Sequence, residues 1–232
     1  MKILIIVAHP DDAEFGMGGT ISKLSKDNDI TLCVLCRGNR PGSNFDNEIV
    51  RKNVLNENIK SLGIKKLIQH VYDDVSLDKH STLSINKYVS SIICEVKPDI
   101  VYTNYSNDIH IDHQLVSKSV RVACRPRHNS SVKSLYEFSI PGSGEWNFES
   151  INYNIFHNIE KNIKTKYDCI DRYTTELQKS PDPLSSEYIK YRDLYYGSIA
   201  GFKQAEPFIC IFNVFYHCPD CSSATNDYPR YS

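Results

Sequence analysis

Apolar residues arrive along this chain in short runs that alternate with stretches spaced for one face of a helix. Lys2 to Ala8 is an almost unbroken β-branched run, the pattern of a strand covered on both faces, and its end delivers His9. Helical spacing follows over Thr20 to Ser25, after glycines 16, 18 and 19, which let a helix start lie close to the strand end. Ile30 to Cys36 predicts the second strand, followed by a loop with Gly38 and Pro41-Gly42. Ile49, Val54, Leu55, Ile59 and Leu62 stripe one face of a helix over 46–62, closed by Gly63 as its C-cap. A short strand over Leu67 to Tyr72 comes next, then a helix over 84–96 that ends before Pro98. Asp99 to Thr103 supplies another strand, and a helix over 113–124 follows the polar loop from Asn104 to Asp108.

Strand, loop and helix recur in this order, the signature of βαβ units and a mostly parallel sheet, so the expected class is α/β. Beyond residue 130 the pattern is less regular. A strand over Val132 to Ile140 leads into a substrate-side loop, Pro141 to Gly144 with Trp146. A helix over 158–178, a break at Ser180-Pro-Asp-Pro183, a helix over 187–201 and a strand over Phe208 to Phe215 follow, and the tail from Asn226 is polar. Ligands of parallel sheets sit beyond the carboxyl ends of the strands. His9 and His110 both fall there, and a single crevice holding both satisfies that rule.

At 232 residues the chain is long enough for one substantial core, read as a single domain with its regular part over about 1–125 and further elements over 126–225. Hydrophobic residues make up 41% and charged residues 24%, which excludes the disordered class. A net charge of -1 removes any large electrostatic case for nucleic acid. The opening apolar run is too short for a membrane span and lacks a signal-peptide cleavage context, so a cytoplasmic protein is expected. Eight cysteines are scattered, several inside apolar segments, as buried thiols rather than a disulfide framework.

Two compact clusters of imidazole and carboxylate carry the chemistry: His9-Pro10-Asp11-Asp12-Ala13-Glu14 and, about a hundred positions later, His110-Ile111-Asp112-His113. Together they suggest one hydrolytic metal site, with His9, Asp12 and His113 offering two nitrogens and one oxygen to Zn²⁺ and a fourth position open for water. Pro10 keeps His9 out of the helical region, so His9 and Asp12 curl around one point while Asp11 stays available for proton transfer. His110 is assigned to the developing oxyanion, and Asp112 to holding the orientation of His110.

These residues, with Gly16-Met-Gly-Gly-Thr20, resemble the LmbE/PIG-L family of zinc-dependent N-acetylglucosamine deacetylases. The resemblance runs from residue 2 to about 125, and more weakly through Ala205-Glu-Pro-Phe208. It implies a Rossmann-like three-layer sandwich with one Zn²⁺ per subunit. It also implies removal of acetyl from the 2-acetamido group of an amino-sugar conjugate, a nucleotide-linked sugar among the candidates, on a homo-oligomer, trimer or hexamer. The family's ligands fall on His9, Asp12 and His113, its base on Asp11 and its oxyanion histidine on His110. Arg51 holds the register of an arginine that the family places near the substrate. Ile109 stands where relatives acting on malate-linked glucosamine tend to carry arginine, which argues against a small anionic thiol precursor. Asn39 replaces a glutamate after Arg37-Gly38, and Ile111 a frequent proline.

Specificity is less legible. Arg51 and Arg37 are candidates for a phosphate or the sugar rim, the alternative for each being a solvated charge. Asn39 and Asp108 are candidates for sugar hydroxyls, and Trp146 either stacks on a sugar face or anchors packing. The acetyl group itself is not fixed by these residues, since a larger N-acyl amide presents the same carbonyl. A sugar-binding protein without turnover is the third reading. One Cys218-Pro-Asp-Cys221, preceded by His217, cannot close a structural zinc site alone and reads as a terminal loop with free thiols. Tyr188, Tyr191, Tyr195 and Tyr196 have helical spacing suited to the sheet or another subunit.

Overall fold

The computed structural model describes residues 1–39, 45–127 and 130–214. Seven strands form its sheet: β1 (Lys2–Val7), β2 (Asp29–Cys36), β3 (Lys66–Tyr72), β4 (Ile100–Asn104), β5 (Ser134–Phe138), β6 (Ile155–Asn158) and β7 (Ala205–Asn213). Their order across the sheet is β3-β2-β1-β4-β5-β7-β6. The first five are parallel to one another, whereas β7 runs antiparallel to both β5 and β6.

β1 shows why two helical layers are needed. Ile3, Ile5 and Val7 point into one core, Leu4, Ile6 and Ala8 into the other, and all are fully buried. The first core is closed by α1 (Asp12–Leu24), α2 (Phe45–Leu62), α5 (Ile163–Asp171) and α6 (Ser186–Ala200), through residues such as Phe15, Leu55, Ile170 and Ile189. The second is closed by α3 (Thr82–Val96) and α4 (Ile111–Ala123), through Ile85, Val89, Val116 and Val120. A strand with apolar residues at every position therefore acquires helices on both faces, as the run from Lys2 to Ala8 predicts. The result is the expected three-layer α/β sandwich.

Several boundaries differ from the sequence expectation. The first helix begins at Asp12, not Thr20, and breaks at Met17, whose φ of -148° is not helical. The glycines thus lie inside it, where a β-carbon at Gly16 would overlap the Phe138 ring and one at Gly19 would stand 2.9 Å from Ile159. At the break, the backbone N–H groups of Gly19 and Thr20 donate to Glu206 at 3.0 and 2.7 Å. A carboxylate from the last described strand therefore caps the second half of α1.

The expected helix over 158–178 shortens to α5, and it is preceded by β6, whose four residues pairing with β7 leave too little periodicity to recognise. β7 starts at Ala205 rather than Phe208; Pro207 is tolerated because it pairs with β6 beyond the end of the β5 ladder. The end of the predicted strand at Phe215, the tail from Asn226, and His217, Cys218 and Cys221 lie outside the described residues, as does Pro41-Gly42. The described cysteines are free, and Cys33, Cys36, Cys124 and Cys169 are buried. No described helix is long and apolar enough to cross a membrane.

Glu206 also belongs to a buried charge cluster. Lys166 Nζ lies 2.7 Å from Asp193 and 3.0 Å from Glu206, and all three side chains are inaccessible to solvent. Removing the ammonium leaves two buried carboxylates without their counter-charge. Lys166→Ala is accordingly expected to cost about 3–5 kcal/mol, read as a lower denaturant midpoint.

Candidate metal centre and its cavity

The strand order reverses at β1, whose neighbours β2 and β4 continue in opposite directions. Such a switch point opens a crevice beyond the carboxyl ends of the two central strands. His9 follows β1 and the segment from Asp108 to His113 follows β4, so residues a hundred positions apart meet there. His9 Nδ1 and His113 Nε2 face each other at 3.2 Å, and Asp12 Oδ1 lies 3.3 Å from His113 Nε2. His9, Asp12 and His113 are all buried.

Each of the three is held by a specific partner. Asp12 Oδ2 accepts from the His9 backbone N–H at 2.9 Å and from the Asn104 amide at 3.0 Å, which turns Oδ1 toward the imidazoles. Asn104 also accepts from Ala8 N–H at 3.0 Å, latching the ends of β1 and β4. His9 Nε2 is 3.2 Å from Asp112 Oδ2, and His113 Nδ1 is 3.1 Å from Asp108 Oδ2. A carboxylate behind each imidazole fixes the ring and leaves the opposite nitrogen's lone pair for a cation.

The charge pattern fits a metal. Burial alone disfavours a charged imidazole, yet Asp112 and Asp12 raise His9 to about 10 and Asp12 with Asp108 raises His113 to about 9. Two protonated nitrogens cannot face each other at 3.2 Å, whereas one cation between them satisfies both rings and Asp12. Two nitrogens and one oxygen are a zinc-type donor set. Among the described residues two further groupings, His9 with His110 and Asp112, and His9 with Cys36 and Asp74, share His9 with it. In the first, Asp112 is already occupied by the backbone N–H groups of Val75 and Leu77 at 2.7 and 3.1 Å.

This corrects two sequence assignments. Asp112 was expected to orient His110, but its side chain holds His9; only its backbone N–H reaches His110, donating to Nδ1 at 3.2 Å. Asp108 was a candidate for sugar hydroxyls, but it is fully buried, faces His113, and accepts from His110 N–H at 2.8 Å and from the Ser143 hydroxyl. The spacing of these acids could not distinguish one imidazole from its neighbour.

A cavity of about 650 Å³ opens over the cluster, a size suited to a small molecule. Asp11, the N-cap residue of α1, reaches it, as does half-buried His110. Since His110 Nδ1 accepts a hydrogen bond, the neutral ring carries its proton on Nε2. Burial, then the neighbouring His113 and His9, pushes His110 down to about 4. The loop through Pro141 and Trp146 lines the cavity, joined by Pro183 and Leu184.

Arg51 lines it too, but its charge is engaged. Its guanidinium is 3.1 Å from Asp11, 3.1 Å from Asp74 and 3.4 Å from Glu176, and it donates to the Gly38 carbonyl at 3.0 Å. It is 2% exposed and serves as the brace of Asp11. Arg37 and Asn39 do not line the cavity; both engage Asp73, and Asn39 also accepts from Asp74 N–H at 3.1 Å. Asn104, Asp74 and Glu176 were missed by sequence reasoning, lying outside either cluster with no periodic signal.

Behind the cluster, Glu14 is buried and raised to about 7, chiefly by burial. Tyr173 Oη contacts both Glu14 and the Pro10 carbonyl, and Asn58 donates to Glu14 at 3.1 Å. One phenolic proton cannot serve two acceptors, so a protonated Glu14 completes the arrangement. An acid whose pKa is raised on folding contributes stability that is complete below its ordinary value of 4.5 and lost as pH rises to about 7. Glu14→Gln is expected to flatten that part of the stability profile, measured by denaturant titration at pH 4.5, 6 and 7.5.

Comparison with known proteins agrees with this architecture. A diacetylchitobiose deacetylase from Thermococcus kodakarensis is 27% identical over 94% of this chain and 86% of its own. The structure of N,N'-diacetylchitobiose deacetylase from Pyrococcus horikoshii superposes with a TM-score of 0.72 at 22% identity, covering 95% of this chain and 87% of that one. A 4-carboxy-2-hydroxymuconate hydratase from Pseudomonas putida shares the fold at a TM-score of 0.69 and 16% identity, covering 94% and 98%, so the sandwich alone does not dictate the reaction. Residues 4–124, which contain every residue of the metal cluster, match the PIG-L family, GlcNAc-PI de-N-acetylase, and the chain belongs to that family.

Proposed function

We propose that the protein is a metal-dependent N-deacetylase that hydrolyses the 2-acetamido group of an N-acetylated amino-sugar conjugate to acetate and a free amine. The observation that carries this is the convergence of His9, Asp12 and His113 on one point at a cavity that Asp11 and His110 also reach. Deacetylase relatives across most of the chain support it.

His9, Asp12 and His113 would hold one Zn²⁺ per subunit, which when bound supplies a water of lowered pKa and polarises the amide carbonyl. Asp11, braced by Arg51, accepts the proton of the attacking water through the oxygen that Arg51 does not hold. His110 offers its Nε2 proton to the oxygen that gains charge as the carbonyl becomes tetrahedral. The proton on Asp11 then passes to the departing amine, and the two protein groups return to their starting states.

The test is acetate release from a panel of N-acetylhexosamine conjugates by metal-loaded protein. Release that stops with a chelator and returns with Zn²⁺ is the expected result; no release across the panel overturns the reading. Subunit assembly as a trimer or hexamer is part of the same reading, supported by the exposed Tyr191, Leu194, Tyr195 and Ile199 on α6. A concentration-independent monomer in light scattering would remove that part alone.

A further inference from the structure

The cavity mouth is apolar where an enzyme for a bare amino sugar needs hydrogen-bonding groups. Val75, Ile109, Ile111 and Trp146 line it while remaining 47%, 48%, 39% and 63% exposed. Phe148, 83% exposed, stands with its ring 5.3 Å from that of Trp146 and extends the same surface outward. Exposed apolar residues scattered singly need no explanation, but several that line one cavity mark a binding surface.

Backbone conformation supplies an independent sign. Among the described residues three non-glycines have positive φ, and two of them, Val75 at 55° and Phe148 at 56°, belong to this rim. A β-branched or bulky side chain is costly in that region, and such strain persists where the surroundings enforce it, often at functional sites. Here the enforcing contacts are visible. Val75 N–H donates to Asp112, the carboxylate behind His9, and Phe148 closes the short 3-10 turn Glu145–Asn147. Glu145 in turn accepts from Gly142 N–H at 2.9 Å and pairs with buried Arg192 at 3.2 Å. Both strained residues are thus tied to the framework of the site, yet their side chains face water.

Charge points the same way. Among the described lining residues the single guanidinium or ammonium group is Arg51, already engaged by three carboxylates, while Asp182 adds an exposed carboxylate, so nothing in the lining is left to pair with an anionic aglycone. We infer that the rim of Val75, Ile109, Ile111, Trp146 and Phe148 is an aglycone subsite, taking an uncharged apolar alkyl or aryl group attached to the amino sugar. The inference rests on the deacetylase reading for the reaction, but not for the binding.

That separation sets the experiment. Trp146 is the single tryptophan of the chain, so its fluorescence reports the rim directly, without turnover and without metal. Hexyl glucoside, which carries no acetamide, is expected to shift Trp146 emission to shorter wavelength in a saturable manner below its micellar concentration, whereas methyl glucoside is not. In parallel, kcat/KM for acetate release is compared for the methyl, hexyl and 5-carboxypentyl glycosides of N-acetylglucosamine, in both anomers. The hexyl glycoside is expected to exceed the methyl by about ten-fold or more, mainly through KM, with the carboxylated chain no better than methyl. Phe148→Gly, which suits the positive φ, and Trp146→Ala should bring the hexyl-to-methyl ratio of kcat/KM down toward one.

Equal kcat/KM for all three aglycones, or variants that lower methyl and hexyl alike, overturns the subsite and leaves the deacetylase reading intact. A saturable shift of Trp146 by hexyl glucoside with no acetate from any conjugate supports the subsite and overturns the deacetylase reading. Preference for the carboxylated chain overturns the inferred chemistry of the aglycone.

Discussion

Asp11→Asn is expected to lower kcat by about 10²-fold or more while the protein keeps its metal and its fold. The amide retains the shape of the carboxylate and can still accept from Arg51, which otherwise pairs with Asp11 at 3.1 Å. What it cannot do is take a proton from water at neutral pH. Metal content by elemental analysis and single-turnover kinetics on one batch check both halves. Arg51→Ala is the companion measurement, and the structure changes its meaning. An arginine that reads substrate charge would raise KM for an anionic conjugate alone. Loss of a brace of Asp11 lowers kcat on charged and neutral conjugates alike, and that is the outcome the three carboxylate contacts favour. Activity surviving unchanged in Asp11→Asn would remove Asp11 as the base.

Loss of a ligand has the second large effect. His9→Ala, Asp12→Ala and His113→Ala are each expected to purify without stoichiometric metal and to be inactive, while His110→Ala retains metal and loses kcat. The residues behind the imidazoles should fall between these extremes. Asp112→Asn and Asp108→Asn are each expected to weaken metal affinity by about 10–100-fold, measured by competition with a chromophoric chelator. The gradation discriminates between assignments. Full metal in His113→Ala, with the deficit appearing instead in His110→Ala, would exchange the roles of the two histidines.

How much of this was legible follows from the distance over which each signal acts. The strand at Lys2 to Ala8 and the stripe from Ile49 to Leu62 declare themselves within a few residues, and both are formed. His9, Asp12 and His113 could be grouped because each cluster is local and both stand at strand ends. Which carboxylate backs which imidazole could not be read. Asp112 and Asp108 sit within five positions of both His110 and His113, and their partners depend on how α4 is rotated against β1. Asn104 and Glu176 carry no local mark at all. The first helix was placed too late because its three glycines suggested a loop. In the folded chain they are the contact surface of a broken helix against Phe138 and Ile159, a property that only the packing partner defines.

The Glu206 carboxylate on Gly19 and Thr20 also constrains the order in which the molecule can be completed. Synthesis delivers Asp11 and Asp12 almost at once, yet the helix that carries Asp12 lacks the cap at its internal break until nearly the whole described chain has emerged. A nascent chain paused before β7 would own all three proposed ligands but leave these two amide donors and the Lys166 ammonium without this acceptor. Metal affinity of ribosome-stalled chains is therefore expected to appear abruptly once residue 206 clears the exit tunnel, rather than when His113 does.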